Sequence, residues 1–204
     1  MANLIHRRKE TGVTWRLVPL MTGLALGASL TATARAADPP KGSLELQVKA
    51  AFLYHFAKFV EWPGTAGSPG ASGTLAFCVF GDDSLFTALT HSLVGKTING
   101  RMLTTRQAEG SPHAQRCDIA FIGAAEKKRV DEVLDALAGA GVLSVSDLNQ
   151  FALHGGMIEI TRKADKFGFA VNIDAVHRNG LRISSKLLQL AEVVHQSDEV
   201  RRKP

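Results

Sequence analysis

The chain has 204 residues and a formal net charge of +5, and 45% of its residues are hydrophobic. Residues 37–204 number about 170, which by length is one domain large enough for a packed core. Five of the 24 basic residues but only one of the 19 acidic residues lie within positions 1–36, so the rest of the chain has a net charge of only +1. The basic balance is therefore no argument for a nucleic acid partner or an anionic membrane surface.

Residues 1–36 have the organisation of a secretory signal peptide. A positively charged start precedes the uncharged, mostly apolar residues 17–30, and Ala34 and Ala36 supply the small side chains that cleavage before Ala37 requires. The apolar stretch is short for a membrane span, and an uncleaved N-terminal anchor is the alternative. We expect a periplasmic protein with the following parts: a signal peptide at 1–36, a mature N-terminal tail at 37–43, a single domain at 44–196 and a charged tail at 197–204.

The chain contains two cysteines, Cys78 and Cys117. In an oxidising compartment an even number of cysteines favours a disulfide. Such a bridge would close a loop of about 40 residues and stabilise the fold by about 4 kcal/mol on the chain-entropy model. Two unpaired buried thiols are the alternative, whereas a zinc site is not expected because two cysteines lack companion ligands.

The first predicted element is a helix over residues 43–62. Lys49, Lys58 and Glu61 are expected to lie away from its apolar stripe, and an uncharged loop is expected at residues 64–73. The stripe follows from apolar side chains at spacings of three and four residues: Val48, Phe52, Phe56, Phe59 and Val60.

Strands and helices then alternate. Continuous apolar runs at residues 75–80, 118–122 and 142–145 predict strands buried on both faces. Helices are expected between them, at 84–93 and after Gly123 through Ala138, and this rhythm indicates parallel βαβ units. The chain also carries two local signals, a hairpin turn at Asn99-Gly100 and a short helix after Asp147 that ends near His154.

The C-terminal third predicts an antiparallel hairpin. Residues 167–173 alternate strictly between apolar and small or polar side chains, and residues 157–161 form the first strand. A turn from Asp174 to Gly180 is expected to precede a last helix, capped by Ser184 or Ser185, with these residues on its inner face: Leu187, Leu188, Ala191 and Val194. The predicted fold class is three-layer α/β, with helices on both faces of a mixed sheet.

Signals for catalysis are weak. His154-Gly155-Gly156 resembles half of a hydrolase oxyanion loop, but no G-x-S-x-G motif accompanies it. Asp82 and Asp83 follow the first buried strand, where α/β proteins present ligand groups, yet carboxylates there more often cap the next helix. His55 is expected to be half-buried beside the apolar stripe. We therefore predict no catalytic residue, no metal site and no cofactor.

One family combines the motifs of this chain. Residues 48–63, VKAAFLYHFAKFVEWP, closely resemble the opening helix of the YfiR family of periplasmic proteins. The later stretches GGMI (155–158), FAVNI (169–173) and GLRISSKLL (180–188) are similar to its C-terminal pattern. Together these motifs are specific, and the resemblance extends over about residues 44–194.

The resemblance implies an exported α/β repressor that is not an enzyme. The namesake of the family binds the periplasmic sensor part of an inner-membrane diguanylate cyclase and holds it inactive, and an outer-membrane lipoprotein can sequester the namesake. Cys78 and Cys117 would match one family disulfide, whereas the second cysteine pair of the namesake has no counterpart here. A homodimer is left open, and a periplasmic carrier or sensor of a small ligand is the alternative function.

Two sets of residues are candidates for a partner surface. Tyr54 and Trp62 lie beside the basic Lys49 and Lys58, and aromatic and basic side chains are common at interfaces. The second set is Arg182, whose planar guanidinium could hold a carboxylate or a small anion, with Glu159. A structural salt bridge between Arg182 and Glu159 is the alternative for that pair.

Overall fold

The computed structural model describes residues 41–62, 73–109, 117–164 and 166–195, without the side chains of residues 41 and 193–195. The predicted signal peptide, most of the predicted loop at 64–73 and the charged tail lie outside these residues. The helices are α1 (Lys41–Phe59), α2 (Asp83–Leu93), α3 (Val130–Leu137), α4 (Ile173–Arg178) and α5 (Ser185–Leu188), and a 3-10 helix (Ala124–Arg129) leads into α3. The strands are β1 (Val60–Glu61), β2 (Thr74–Phe80), β3 (Thr97–Ile98), β4 (Arg101–Ala108), β5 (Ile119–Ile122), β6 (Leu143–Ser146), β7 (Ile158–Lys163), β8 (Lys166–Asn172), β9 (Arg182–Ile183) and β10 (Val193–His195).

A mixed sheet of eight strands organises the described residues, in the order β10-β8-β7-β6-β5-β2-β4-β3. The five adjacent strands β4, β2, β5, β6 and β7 run parallel to one another. β7 and β8 form the antiparallel hairpin that the sequence predicts. A separate two-stranded ladder pairs β1 with β9. The prediction of parallel βαβ units followed by a hairpin is confirmed.

Helices cover both faces of this sheet. Leu75, Phe77 and Val79 of β2 belong to the core that contains α1 and α2. Cys78 and Phe80 of the same strand belong to a second core that contains α3. Because successive side chains of a strand point to opposite faces, α1 and α2 lie on one face and α3 lies on the other. The predicted three-layer class is confirmed.

Local chemistry accounts for α2 and the hairpin after it. The side chain of Asp82 caps α2 by accepting a hydrogen bond of 2.9 Å from the backbone N–H of Leu85. Asn99 and Gly100 adopt φ values of 50° and 79°, as a tight turn between antiparallel strands requires. The predictions for both elements are confirmed, and the inner face of α2 consists of the buried residues Leu85, Leu89 and Leu93.

The structure corrects the boundaries and the buried face of the first helix. α1 includes Lys41 and ends at Phe59 instead of Trp62, because the next two residues pair with β9. Val48, Phe52 and Phe59 of the predicted stripe are only partly buried. The buried apolar residues of α1 are Ala50, Leu53, Phe56 and Ala57, and Val60 of the predicted stripe is buried in β1.

Three C-terminal predictions also differ from the structure. The segment after β6 forms turns instead of a helix, because Asp147 pairs with a lysine of α1 instead of capping a helix. The predicted turn from Asp174 contains α4, which the side chain of Asn172 caps. The last helix ends at Leu188, and Val194 lies in β10 because the edge of β8 accepts another strand.

Candidate functional site

The outer side of α1 carries an aromatic ring shared by two lysines. Tyr54 and Lys58 are one helical turn apart, and Lys58 Nζ lies 5.6 Å from the centroid of the Tyr54 ring. Lys96, in the turn between α2 and β3, places its Nζ 5.1 Å from the same centroid. Both lysines are exposed, whereas Tyr54 is partly buried and packs on the core. We call Tyr54, Lys58 and Lys96 the lysine-tyrosine cluster.

Lys96 is a member of this cluster that the sequence analysis missed. It lies 38 positions after Lys58 in the chain. Nothing in the composition of its turn distinguishes it from any other surface lysine. Only the packing of α2 beside α1 brings the two lysines together.

The ladder between β1 and β9 brings Arg182 to the end of α1. Glu61 is the register partner of Arg182, and the backbone N–H of Ser184 donates a 2.9 Å hydrogen bond to the carbonyl of Phe59. Arg182 and Glu61 are exposed, and Trp62 is partly buried. Two stretches of the sequence that suggested a family, one at each end of the domain, therefore meet in this ladder.

Lys49, in contrast, lies inside the protein. It is only 7% exposed, and its Nζ forms ion pairs of 2.8 Å with Glu45 and 2.6 Å with Asp147. Burial lowers the pKa of Lys49, but hydrogen bonds to Asp147 and Glu45 outweigh burial and raise it above its usual value. The expectation that Lys49 lies away from the buried face on a partner surface is wrong for this structure.

Glu159 also has a structural position. It is 9% exposed, and its carboxylate accepts hydrogen bonds from the backbone N–H groups of Gln150 (3.1 Å) and Ala152 (3.2 Å). It thereby holds the turn before β7. The salt bridge suggested between Glu159 and Arg182 is not formed, since Arg182 lies in the ladder with β1.

The family model described as YfiR/HmsC-like matches residues 46–192, which is more than two thirds of the chain. The chain belongs to the YfiR/HmsC-like family. The matched residues run from the first half of α1 to the residue before β10, so they contain the lysine-tyrosine cluster, the β1–β9 ladder and both cysteines.

Two solved structures show a distant likeness to this YfiR/HmsC-like chain. A conserved domain protein from Vibrio cholerae superposes with a TM-score of 0.53 at 11% identity, over 74% of this chain and 60% of that one. The ABC domain from Streptococcus pneumoniae in complex with L-Trp gives a TM-score of 0.44 at 8% identity, over 64% of this chain and 58% of that one. This chain thus spans about three fifths of each of these two structures, and the Vibrio likeness supports the fold alone.

The disulfide expected from the YfiR resemblance is present. Cys78 of β2 is bonded to Cys117, with 5.8 Å between their Cα atoms, on the face covered by α3. Beside it, Arg101 Nη2 lies 2.7 Å from Asp118 Oδ1, and Asp118 Oδ2 accepts a hydrogen bond of 2.8 Å from the backbone N–H of Ala76. The disulfide and the hydrogen bond from Ala76 therefore join the chain just before β5 to β2, and the ion pair joins it to β4.

The turns that follow β2 and β5 are close together at the point where the strand order changes direction. The strand order changes direction between β2 and β5, and the crevice at such a point commonly holds a ligand. Here the N–H of Gly123 donates a 2.7 Å hydrogen bond to the carbonyl of Phe80, and a Cβ at Gly123 would lie 2.7 Å from the carbonyl oxygen of Gly81. The turns after these two strands therefore lie in close contact.

The other residues considered for catalysis cap a helix, form a side-chain hydrogen bond or lie exposed on the surface. Asp82 caps α2, and Asp83 accepts a hydrogen bond of 2.6 Å from Gln107. His154 is exposed in a turn, and His55 is exposed instead of half-buried. Within the described ranges, no group of three or more His, Cys, Asp or Glu side chains is placed to hold a metal ion. None of the helices described here is both long and apolar enough to cross a bilayer.

Proposed function

We propose that this protein is a periplasmic regulator that binds the periplasmic sensor part of an inner-membrane signalling protein, a diguanylate cyclase, and represses it. The observation that carries the proposal is the YfiR/HmsC-like match over residues 46–192, because this family is regulatory. The predicted signal peptide at residues 1–36 supports export. An outer-membrane lipoprotein that sequesters the repressor is part of the same proposal.

A repressor of this kind acts by differential affinity. It shifts its target toward the inactive conformation only if it binds that conformation more tightly than the active one. It needs an accessible surface on a rigid support, and it needs no group that makes or breaks a bond. The exposed side of α1 with the β1–β9 ladder meets this requirement, and we assign partner binding to Tyr54, Lys58, Trp62, Lys96 and Arg182.

The support beneath this surface is well packed. Phe56 is fully buried, with its ring centroid 5.6 Å from that of Phe52 and 5.1 Å from that of Phe169 in β8. The backbone hydrogen bond from Ser184 to Phe59 fixes the end of α1. Because α1 is held along its length, binding at its outer side costs little ordering of the free protein.

Deletion of the gene tests the proposed function. We expect cyclic di-GMP and surface attachment to rise in the deletion strain and to return to the starting level when the full-length gene is supplied. A gene that lacks codons 2–36 should express the protein in the cytosol and should not complement. An unchanged cyclic di-GMP level after deletion, or full complementation by the leaderless gene, would contradict the proposal.

A further inference from the structure

We propose that the lysine-tyrosine cluster is a receptor for an acidic segment of the signalling partner, in which an Asp or Glu lies next to an aliphatic residue. The inference rests on the proposed function, since it specifies the chemistry of the partner at the same surface. It concerns Tyr54, Lys58 and Lys96, and it assigns no role to Arg182 or Trp62.

Two lysines lie beside one aromatic ring here without an internal counter-charge. The Nζ atoms of Lys58 and Lys96 lie 5.6 Å and 5.1 Å from the centroid of one ring, although they belong to different elements. No carboxylate in the described part of the chain forms an ion pair with either lysine. Elsewhere each of these basic side chains has a carboxylate within 4.0 Å: Lys49, Arg101, Arg129, Arg162 and Lys163.

The cluster differs from an ordinary solvated lysine pair because the ring holds it in place. The face of an aromatic ring attracts ammonium groups, so Tyr54 offsets part of the repulsion between the two lysines. The ring itself is held by the core and by His55, whose ring packs edge-on with centroids 5.7 Å apart. Two ammonium groups beside one ring give this surface a local positive charge, which favours an acidic partner.

The neighbouring surface supplies an apolar contact for the same segment. Val94, two residues before Lys96, is 74% exposed at the end of α2. Gly95 adopts φ +70°, so the turn that carries Val94 and Lys96 has a defined shape. An acidic residue next to an aliphatic one would fit this arrangement.

A protein carboxylate is a better occupant than a free anion. Enclosed anion sites surround their ligand with several donors, often backbone N–H groups at a helix N-terminus. Here the donors are two exposed ammonium groups on a surface that includes the C-terminal half of α1. The adjoining Val94 also favours an occupant with an apolar part.

Complementation of the deletion strain tests the receptor. K58E/K96E should leave cyclic di-GMP near the level of the deletion strain, whereas K58R/K96R, which keeps both charges, should repress like the wild type. K127E/K128E is the matched control, because it reverses two exposed lysines of the 3-10 helix and should repress normally. Thermal unfolding of the purified proteins should show similar Tm values. If K58E/K96E is poorly exported, the neutral K58Q/K96Q is compared, and it should also lose repression.

The results separate this inference from the proposed function. An unchanged cyclic di-GMP level after gene deletion contradicts the function itself. A clear effect of deletion, together with full repression by K58E/K96E or K58Q/K96Q, overturns only the inference that the lysine-tyrosine cluster is a receptor.

A charge-swap screen tests the identity of the ligand. The cyclase gene of the K58E/K96E strain is mutagenised, and clones that recover repression only in the presence of K58E/K96E are sequenced. We expect Asp or Glu substitutions to Lys or Arg in the periplasmic part of the cyclase. Recovery through other positions alone would overturn the assignment of a carboxylate.

Discussion

At the residue scale, Gly123 shows how the absence of one side chain shapes this fold. A methyl group at this position would lie 2.7 Å from the carbonyl oxygen of Gly81 and 2.9 Å from Cβ of Asp82, so backbone would have to move. We expect Gly123→Ala to destabilise the protein by about 2–3 kcal/mol through overpacking, measured by urea unfolding.

A second glycine gives the control for that substitution. Gly42 lies in α1, and apart from its chain neighbours and the adjacent helix backbone no described atom lies within 4 Å of the position of an added Cβ. Gly42→Ala should be neutral or stabilise the protein by up to about 1 kcal/mol, because alanine is the better helix former. If both variants lose the same free energy of unfolding, close contact at Gly123 is not the cause of the destabilisation.

The ion pairs of Lys49 make stability depend on pH. The hydrogen bond from Lys49 lowers the pKa of Glu45 below its usual 4.5, against an opposing effect of burial. A carboxylate with a lowered pKa in the folded state stabilises the fold above pH 4.5, and this contribution disappears as the pH falls through the folded-state pKa. We therefore expect Glu45→Gln to be less stable than wild type near neutral pH and to approach it in acid.

Urea unfolding of wild type and variant across that pH range measures the difference. Glu132→Gln is the control, since Glu132 pairs with the exposed Arg129 and such surface pairs contribute little. A gap between wild type and Glu45→Gln that stays constant into acid would contradict the linkage.

The burial of Lys49 and Glu159 could not be predicted from the sequence. Charged residues are seldom fully buried, so a lysine or a glutamate is normally predicted to lie on the surface. Their burial depends on partners that the chain brings close only after folding, such as Asp147 for Lys49. Tyr54 and Lys58 could be found from helical spacing, whereas Lys96 could not.

At the element scale, elements with a strong local pattern were predicted correctly. Elements that depend on pairing with a distant segment were not. The apolar run of β2 and the alternation of β8 identify strands without knowledge of their neighbours. The end of α1 depends on β9, more than 120 residues later, and β10 is a three-residue strand defined by its pairing with β8. Short elements fixed by tertiary pairing leave little periodic signal.

The link between β2 and β5 is the element-scale feature most open to measurement. The disulfide spans a sequence separation of 39 residues, for which the chain-entropy model gives about 4 kcal/mol of stabilisation. C78S/C117S should therefore unfold at clearly lower urea concentration than the oxidised wild type.

Wild type treated with a reductant is the control for the serine substitutions, and it should approach the stability of C78S/C117S. The hydrogen bond from Ala76 of β2 to Asp118 and the ion pair of Asp118 with Arg101 of β4 remain in both proteins. A loss below about 1 kcal/mol in both would indicate that the denatured chain gains little freedom when the bridge is absent.

At the scale of the whole molecule, family membership and the proposed location in the periplasm rest on different parts of the chain. Membership follows from the match over residues 46–192, and the three-layer class was predictable because strands and helices alternate through this range. The place of action depends on residues 1–36. Nothing in the packing of the described domain specifies export, so this part of the proposal needs its own test.

Cleavage before Ala37 provides that test. Signal peptidase sites require small residues at the −3 and −1 positions, here Ala34 and Ala36, whereas the −2 position is permissive. We expect intact-mass measurement of periplasmic protein to give a chain that begins at Ala37. Ala36→Leu should accumulate uncleaved, membrane-associated precursor, and Arg35→Ala should be processed normally. Wild-type protein that keeps residues 1–36 and stays with the membrane would instead support the N-terminal anchor, and repression would then be exerted by a tethered protein.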